Sequence, residues 1–212
     1  MGLNNCGLRI ADCGLKEYHF FMTSRSSAAP TVHRFTRDEY YRMAEAGLFR
    51  DERVELLDGA IITMSPQNTP HASTVYRLDH RLQQLIGQTT CIRCQLPIVL
   101  NDWSEPEPDI AVCVPDPDDY IRAHPQPGQI LLLIEVADVS IPYDRGQKAA
   151  AYAASGVPEL WIVNLPDRRI EVFSDPDPGT PSYRKQQHAF AGNILTLPGG
   201  GSIAVADILP RP

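Results

Sequence analysis

A strand–helix–strand pattern near the middle of the chain most constrains the fold. Residues 130–137, ILLLIEVA, are almost continuously apolar, which is typical of a strand buried on both faces of a sheet. The alanine-rich segment DRGQKAAAYAAS follows and predicts a helix that ends near Gly156 and Pro158. The apolar run ELWIVNL then predicts another strand. Two strands joined by one helix form a right-handed parallel crossover, so we expect an α+β fold with a mixed central sheet.

One residue of the first strand is unfavourable to bury. Glu135 lies near the end of the apolar run, where an ionised carboxylate costs on the order of several kcal/mol unless it is paired. A second acid, Asp109, begins the short strand DIAVCV, which follows a strand predicted over CIRCQLPIVL. If the strands of Asp109 and Glu135 are antiparallel neighbours, the two carboxylates meet at one edge of the sheet. Such acids repel each other unless they share a proton or a cation, and Mg²⁺ or Mn²⁺ prefers oxygen ligands.

The predicted crossover helix adds a basic group to these two acids. Asp144, Lys148 and Tyr152 are spaced i, i+4, i+8 and therefore lie on one helix face. The first turns of this helix follow the strand of Glu135, so Lys148 is within reach of that carboxylate. A lysine there can orient a water, help to deprotonate it, or offset charge on a phosphorane. Glu55, in RVELLDG, is a candidate fourth member that could bind a second cation or hold a water.

Each of these residues also has an ordinary structural interpretation. Asp109 could cap the strand that follows Pro108. Glu135 could form a structural ion pair with Arg145 or Lys148. Lys148 could be a solvated helix residue, and Glu55 could lie on a solvated strand face. Taken one at a time, the structural interpretation is the better one for Asp109, Lys148 and Glu55 and is equal to the functional one for Glu135. The set taken together favours a site.

The rest of the chain predicts helices and hairpins around the crossover. FTRDEYYRMAEAGLF predicts a helix in which Thr36 and Glu39 form a capping box. Asp58-Gly59 between two apolar runs predicts a hairpin. HASTVYRLDHRLQQLIG predicts an amphipathic helix, and its apolar stripe consists of Val75, Leu78, Leu82, Leu85 and Ile86. Four short segments after residue 167 predict C-terminal antiparallel hairpins.

The order and spacing of these motifs resemble a known group of nucleases. Pro108-Asp109, then Glu135-Val136-Ala137, then Lys148, is similar to the signature of the PD-(D/E)xK nuclease superfamily. More closely, the segments RVELLDGAIITMSP, EPDIAV, LLIEVADVS and YDRGQKAAAYAASGVPELWIV resemble the Uma2 family, also called DUF820, over roughly residues 35–175. The resemblance implies a restriction-endonuclease-like αβββαβ core and Mg²⁺-dependent cleavage of DNA phosphodiester bonds. It also favours a position near the site for His71, because the family tends to have a histidine there.

The chain departs from the superfamily pattern at one position. The usual third element is a lysine two residues after the glutamate, and here that residue is Ala137. The family resemblance suggests that Lys148, on the following helix, takes its place. Without that replacement the chain would be a catalytically inactive nuclease fold that serves as a binding or scaffold module.

The acidic composition bears on the substrate. The formal net charge is −7, with 19 basic and 26 acidic residues, whereas proteins that grip DNA by its phosphates are usually basic. This balance suits a cation-binding site and leaves open a metal hydrolase of a smaller phosphate ester. Our preferred hypothesis is a Mg²⁺- or Mn²⁺-dependent endodeoxyribonuclease with Asp109, Glu135 and Glu55 as metal ligands. Because cutting both DNA strands takes two sites related by symmetry, we expect a homodimer.

The ends of the chain and its cysteines indicate location and domain organisation. No apolar run approaches the ~18 residues of a membrane helix, and the first twenty residues lack a signal peptide. Five cysteines, an odd number, argue for reduced thiols, so we expect a cytoplasmic protein. Residues 1–33 read as a disordered leader in which Met22 could be the true start. Residues 34–212 read as a single nuclease-like domain.

Overall fold

A mixed six-stranded sheet forms the centre of the protein. The computed structural model describes residues 31–177 and 179–210. The predicted leader and the alternative start at Met22 therefore fall almost entirely outside the described residues. In spatial order, the sheet consists of β3 (Cys91–Cys94), β4 (Ile110–Cys113), β5 (Ile130–Ala137), β6 (Glu159–Asn164), β7 (Arg169–Asp177) and β8 (Ser182–Ala189). A strand was predicted over residues 91–100, but β3 includes only the first four of these residues.

The pairing of the central strands confirms the predicted crossover. β5 and β6 are parallel, and every other pair of neighbours in the sheet is antiparallel. β4 pairs with β5 so that Ile110 lies opposite Ile134. One residue further along this register, Asp109 lies opposite Glu135, on the same face of the sheet. The antiparallel arrangement expected for these two acids is therefore correct.

The N-terminal elements also follow the sequence signals. α1 (Arg37–Glu45) begins after Thr36, and Thr36 and Glu39 form the predicted capping box. β1 (Val54–Leu57) and β2 (Ala60–Thr63) form the predicted hairpin around Asp58-Gly59. Gly59 has φ +75° and a Cβ there would lie 2.5 Å from Arg34 Cβ, so the turn requires glycine. The long helix α2 (Thr69–Ile86) follows, capped by Asn68.

Two helical layers cover the two faces of the sheet. α2 packs on one face, together with α5 (Val205–Ile208), which follows the hairpin of β9 (Ile194–Thr196) and β10 (Ser202–Ala204). Val75, Leu78, Leu82 and Ile86 of the predicted stripe are buried there. The prediction was wrong for Leu85, which is 46% exposed because it lies at the margin of the stripe. In the described part of the chain, no helix combines the length and the apolar character needed to cross a membrane.

The crossover helix, residues 141–154, covers the other face of the sheet and is not a regular α-helix. Its α-helical ends are α3 (Ile141–Tyr143) and α4 (Ala149–Ala154), and the five residues Asp144–Lys148 between them form a π-helical turn. Such turns are rare and occur often at functional sites. Here the turn buries Asp144 and Lys148 and leaves the three residues between them exposed.

An ion pair between the exposed Arg145 and the buried Glu171 joins this helix to β7. Glu171 is fully buried and accepts a hydrogen bond from Arg145 Nε at 2.6 Å. Asn164 Nδ2 and Arg169 Nε donate to the same carboxylate at 2.9 and 3.1 Å. Arg145 is therefore the partner of Glu171 and not of Glu135, for which it was a candidate. This leaves Lys148 as the cation next to Glu135.

The Glu171 contacts predict a pH dependence of stability. Burial alone would raise the pKa of Glu171, but the hydrogen bonds from Arg145, Asn164 and Arg169 outweigh it and lower the pKa to about 2. A carboxylate with a depressed pKa stabilises the fold above its unfolded pKa near 4.5 and loses that contribution as pH falls toward 2. We expect about 2 kcal/mol from this residue, after a discount for the partial exposure of Arg145. Urea unfolding at several pH values tests this: wild type and Glu171→Gln should differ at pH 6 and converge near pH 2. A constant difference would contradict it.

Candidate active site

The acidic and basic residues predicted for the site line one cavity of about 370 Å³. It lies between the β1–β2 hairpin, the N-terminus of α2, the edge where β4 and β5 meet, and the crossover helix. Its lining includes all the predicted residues except Tyr152: Glu55, His71, Asp109, Glu135, Asp144 and Lys148. Tyr152 does not line the cavity, but its hydroxyl donates a hydrogen bond to Glu135.

Glu135 is held from the side of the crossover helix. It is 3% exposed, and its Oε1 accepts hydrogen bonds from Tyr152 Oη at 2.6 Å and from Lys148 Nζ at 3.2 Å. In the described residues, no hydrogen bond to Oε2 is present, and the residue lines the cavity. Burial, reinforced by the nearby Asp144 and Asp109, raises the pKa of Glu135 even though Lys148 opposes this. The environment of Glu135 therefore disfavours its charged form, and Lys148 is the neighbour that offsets this.

Lys148 is buried between two carboxylates. Its Nζ lies 3.2 Å from Glu135 Oε1 and 3.4 Å from Glu55 Oε2. Burial alone would lower the pKa of Lys148, but the surrounding carboxylates outweigh it and raise the pKa. The two carboxylates therefore favour the protonated form of Lys148. Ala137, at the usual lysine position of the superfamily, lies on the same sheet face as Glu135. Lys148 of the crossover helix packs on that face, so its ammonium group lies on the side that a lysine at position 137 would occupy.

Glu55 belongs to the buried site and not to a solvated strand face. It is 2% exposed, at the second position of β1. Its Oε2 accepts the backbone N–H of Glu107 at 3.0 Å, and its Oε1 accepts a hydrogen bond from Tyr143 Oη at 3.2 Å. The β1–β2 hairpin therefore places the Glu55 carboxylate in the same cavity as Glu135. The Glu107 N–H and Lys148 hold this carboxylate in position.

Asp109 is the most firmly fixed acid of the site. Its Oδ2 accepts the backbone N–H of Val136 at 2.8 Å and lies 3.1 Å from His71 Nε2. Its Oδ1 accepts a hydrogen bond from Gln95 Nε2 at 3.0 Å. Burial would raise the pKa of Asp109, but His71, the Val136 N–H and Gln95 outweigh it and lower the pKa. Three protein donors therefore fix Asp109 and favour its ionised form.

His71 and Asp144 complete the rim of the acid cluster. His71 lies in the first turn of α2, and its Nδ1 is buried without a hydrogen-bond partner among the described residues. Asp144 Oδ2 accepts a hydrogen bond from Ser140 Oγ at 2.6 Å, and burial raises the pKa of Asp144. Lys148 contacts Glu135 and Glu55 in preference to Asp144, so the helical pair Asp144–Lys148 is not the main partnership of either residue.

The donor set fits a hard divalent cation. Within residues 31–177 and 179–210, no three His, Cys, Asp or Glu side chains are close enough to form a ready-made metal cage. Mg²⁺ needs no such cage, because proteins usually hold it through one or two carboxylates together with waters and substrate phosphates. Asp109 and Glu135 are adjacent in the sheet and face one cavity, and no group of the described residues forms a hydrogen bond with Glu135 Oε2. These two residues could therefore hold such an ion.

Three contributors to the site were not found by sequence reasoning. Tyr143 donates to Glu55, Gln95 donates to Asp109, and Arg53 lines the mouth of the cavity. Gln95 has φ +51°, an unusual value for a residue other than glycine, at the position where the chain leaves β3. The sequence contains no local signal for these contacts, because they depend on how separate elements are placed in space.

Comparisons with known proteins agree with this fold. Residues 37–206 match the model of the Uma2 family, whose description is "Putative restriction endonuclease". A search of curated proteins found no match. A solved structure described as "a putative nuclease belonging to DUF820", from Anabaena variabilis ATCC 29413, is similar with a TM-score of 0.60 at 13% identity, covering 82% of this chain and 97% of that one. At that identity, the likeness shows the fold alone. Because the family model spans most of the chain, the protein belongs to the Uma2 family.

Proposed function

We propose that the protein is a Mg²⁺- or Mn²⁺-dependent endonuclease that hydrolyses phosphodiester bonds of DNA. The observation that carries the proposal is the juxtaposition of Asp109 and Glu135 across β4 and β5, with Lys148 at 3.2 Å from Glu135. Two acids and one lysine around an edge of a mixed sheet are the groups that phosphodiester hydrolysis needs. The family match to restriction-endonuclease-like proteins supports the same chemistry.

Each residue has a distinct role in this proposal. Asp109 and Glu135 would hold the ion, and Glu55 would complete its shell or hold a second ion. When bound, Mg²⁺ or Mn²⁺ would polarise the phosphate and activate water. Lys148 would stabilise the negative charge that develops on the phosphate, because it is protonated and fixed by two carboxylates. His71 would orient Asp109, and Tyr152 would orient Glu135.

Cleavage assays with purified protein test the proposal. Supercoiled plasmid, linear duplex and single-stranded DNA are incubated with Mg²⁺, with Mn²⁺ or with excess EDTA. We expect cleavage only with added metal ion, and none from Glu135→Gln protein purified in parallel, which controls for contaminating nucleases. Cleavage that persists in EDTA would contradict the metal requirement. No cleavage by wild type under any condition would instead favour the inactive scaffold suggested by Ala137.

The shape and charge of the cavity favour a second candidate, a hydrolase of small phosphate diesters. The cavity is only about 370 Å³, and six acidic residues line it. A small substrate would enter such a cavity without a basic track along the surface. The two candidates differ in salt dependence, because DNA binding weakens steeply as salt is added and binding of a small diester does not. Hydrolysis of a chromogenic diester that exceeds DNA cleavage at every salt concentration would decide for the second candidate.

A further inference from the structure

Arg53 is the basic residue of the cavity whose ion pair could most easily be exchanged for another anion. The acids that line the cavity are Glu55, Glu107, Asp109, Glu135, Asp138 and Asp144. Three basic side chains also line the cavity: Arg53, His71 and Lys148. Lys148 and His71 are largely buried and are held by Glu135 and Asp109, whereas the side chain of Arg53 is 50% exposed.

One ion pair positions Arg53 at the mouth of the cavity. Its Nη2 lies 2.7 Å from Glu107 Oε2. The backbone N–H of Glu107 donates to Glu55, so this pair is joined directly to the buried acids. The side chain of Arg53 is 50% exposed and that of Glu107 is 22% exposed, so water and salt partly screen this pair. Arg53 can therefore leave Glu107 at little expense in stability when a stronger anion arrives.

A DNA phosphate is such an anion. A guanidinium group presents paired N–H donors that match two phosphate oxygens. The cavity otherwise repels a polyanion, because its acids outnumber its bases and Lys148 is already engaged. We propose that Arg53 binds a DNA phosphate at the mouth of the cavity and that Glu107 holds Arg53 in place, in competition with DNA, when no DNA is bound. This inference rests on the proposed function and adds a residue that anchors the substrate.

Binding measurements that are independent of cleavage test this role. The probes are fluorescein-labelled single-stranded and duplex oligodeoxynucleotides, titrated at several salt concentrations by anisotropy. Ca²⁺ replaces Mg²⁺ as a hard, oxygen-binding cation, so that binding is measured apart from turnover. We expect Arg53→Gln to weaken binding about tenfold for every sequence and to reduce the slope of log affinity against log salt by about 1.

Glu107→Gln provides the opposite test, and Arg34→Gln provides the matched control. Glu107→Gln should tighten DNA binding by releasing Arg53, and most of that gain should disappear in the double variant Arg53→Gln/Glu107→Gln. Arg34 is also a half-exposed arginine, 56% exposed and 3.3 Å from Asp58, but it does not line the cavity. Its replacement should leave affinity and salt slope within about twofold of wild type, a bound set by screening of isolated surface charges.

The outcomes separate this inference from the proposed function. If wild type binds and cleaves DNA but Arg53→Gln behaves like Arg34→Gln, the role of Arg53 is wrong and the nuclease proposal stands. An equal gain from Glu107→Gln with and without Arg53 would also overturn it, since the gain would then be general electrostatics. If wild type binds neither oligonucleotide, both proposals fail. Thermal unfolding of each variant shows whether a change in affinity reflects the site or a loss of fold.

Discussion

Replacing Glu135 with glutamine should reduce DNA cleavage by about a thousandfold or more. Glutamine keeps the size of the side chain and an oxygen that can accept the Tyr152 hydrogen bond, but it removes the charge that would hold the ion. Asp109→Asn should have an effect of the same order, because its carboxylate faces the same cavity and is fixed by His71 and the Val136 N–H. Initial rates of plasmid nicking at saturating Mn²⁺ measure both.

A matched control separates loss of the site from loss of structure. Glu159 lies on β6 next to the strand of Glu135 and is partly buried, but it does not line the cavity. Glu159→Gln should therefore retain activity close to that of wild type. Full activity in Glu135→Gln or Asp109→Asn would remove that residue from the proposed metal site.

Replacing Lys148 with methionine should affect both activity and stability. Loss of the ammonium removes charge stabilisation from the reacting phosphate, and we expect a fall in rate of about a hundredfold to a thousandfold. It also leaves the buried acids Glu135 and Glu55 without their cation, which should lower the free energy of unfolding by about 3–5 kcal/mol. Urea unfolding in EDTA measures this loss. Added Mn²⁺ should restore part of it, because an ion that binds only the folded state stabilises that state.

Two further variants interpret the Lys148 result. Lys148→Arg keeps the charge and should recover most of the stability but less of the activity, because a planar guanidinium does not reproduce the position of an ammonium. Lys185 is 65% exposed and lies on the edge strand β8, so Lys185→Met should change neither property. A Lys148→Met protein as stable and active as wild type would contradict the central position given to this residue.

The meeting of Asp109 and Glu135 could be predicted because it depends on strand register alone. The start of one antiparallel strand must lie beside the end of its neighbour, and the apolar runs around the two acids define both strands. The approach of Lys148 to Glu135 followed in the same way from helix periodicity after a parallel crossover. Both contacts follow from regular geometry within one supersecondary unit, and for that reason the sequence was enough to predict them.

The parts that could not be predicted depend on irregular geometry or on contacts between distant segments. The π-helical turn over Asp144–Lys148 has no sequence signature here, although Asp144, Lys148 and Tyr152 are buried on one face as their spacing predicts. Arg145 was a candidate partner for Glu135, but Glu171, 26 residues away, lies across β6 on the same face and binds it instead. Tyr143 reaches Glu55 across 88 residues, and only the packed structure shows that contact.

Calorimetric titration of Mn²⁺ into wild type and Glu135→Gln protein tests most directly whether the buried carboxylates form a metal site. We expect saturable binding to wild type and its loss in the variant, with both proteins folded as judged by circular dichroism. No binding to wild type, or binding that Glu135→Gln leaves unchanged, would show that Glu135, Lys148 and Tyr152 form a structural network without a metal-binding role.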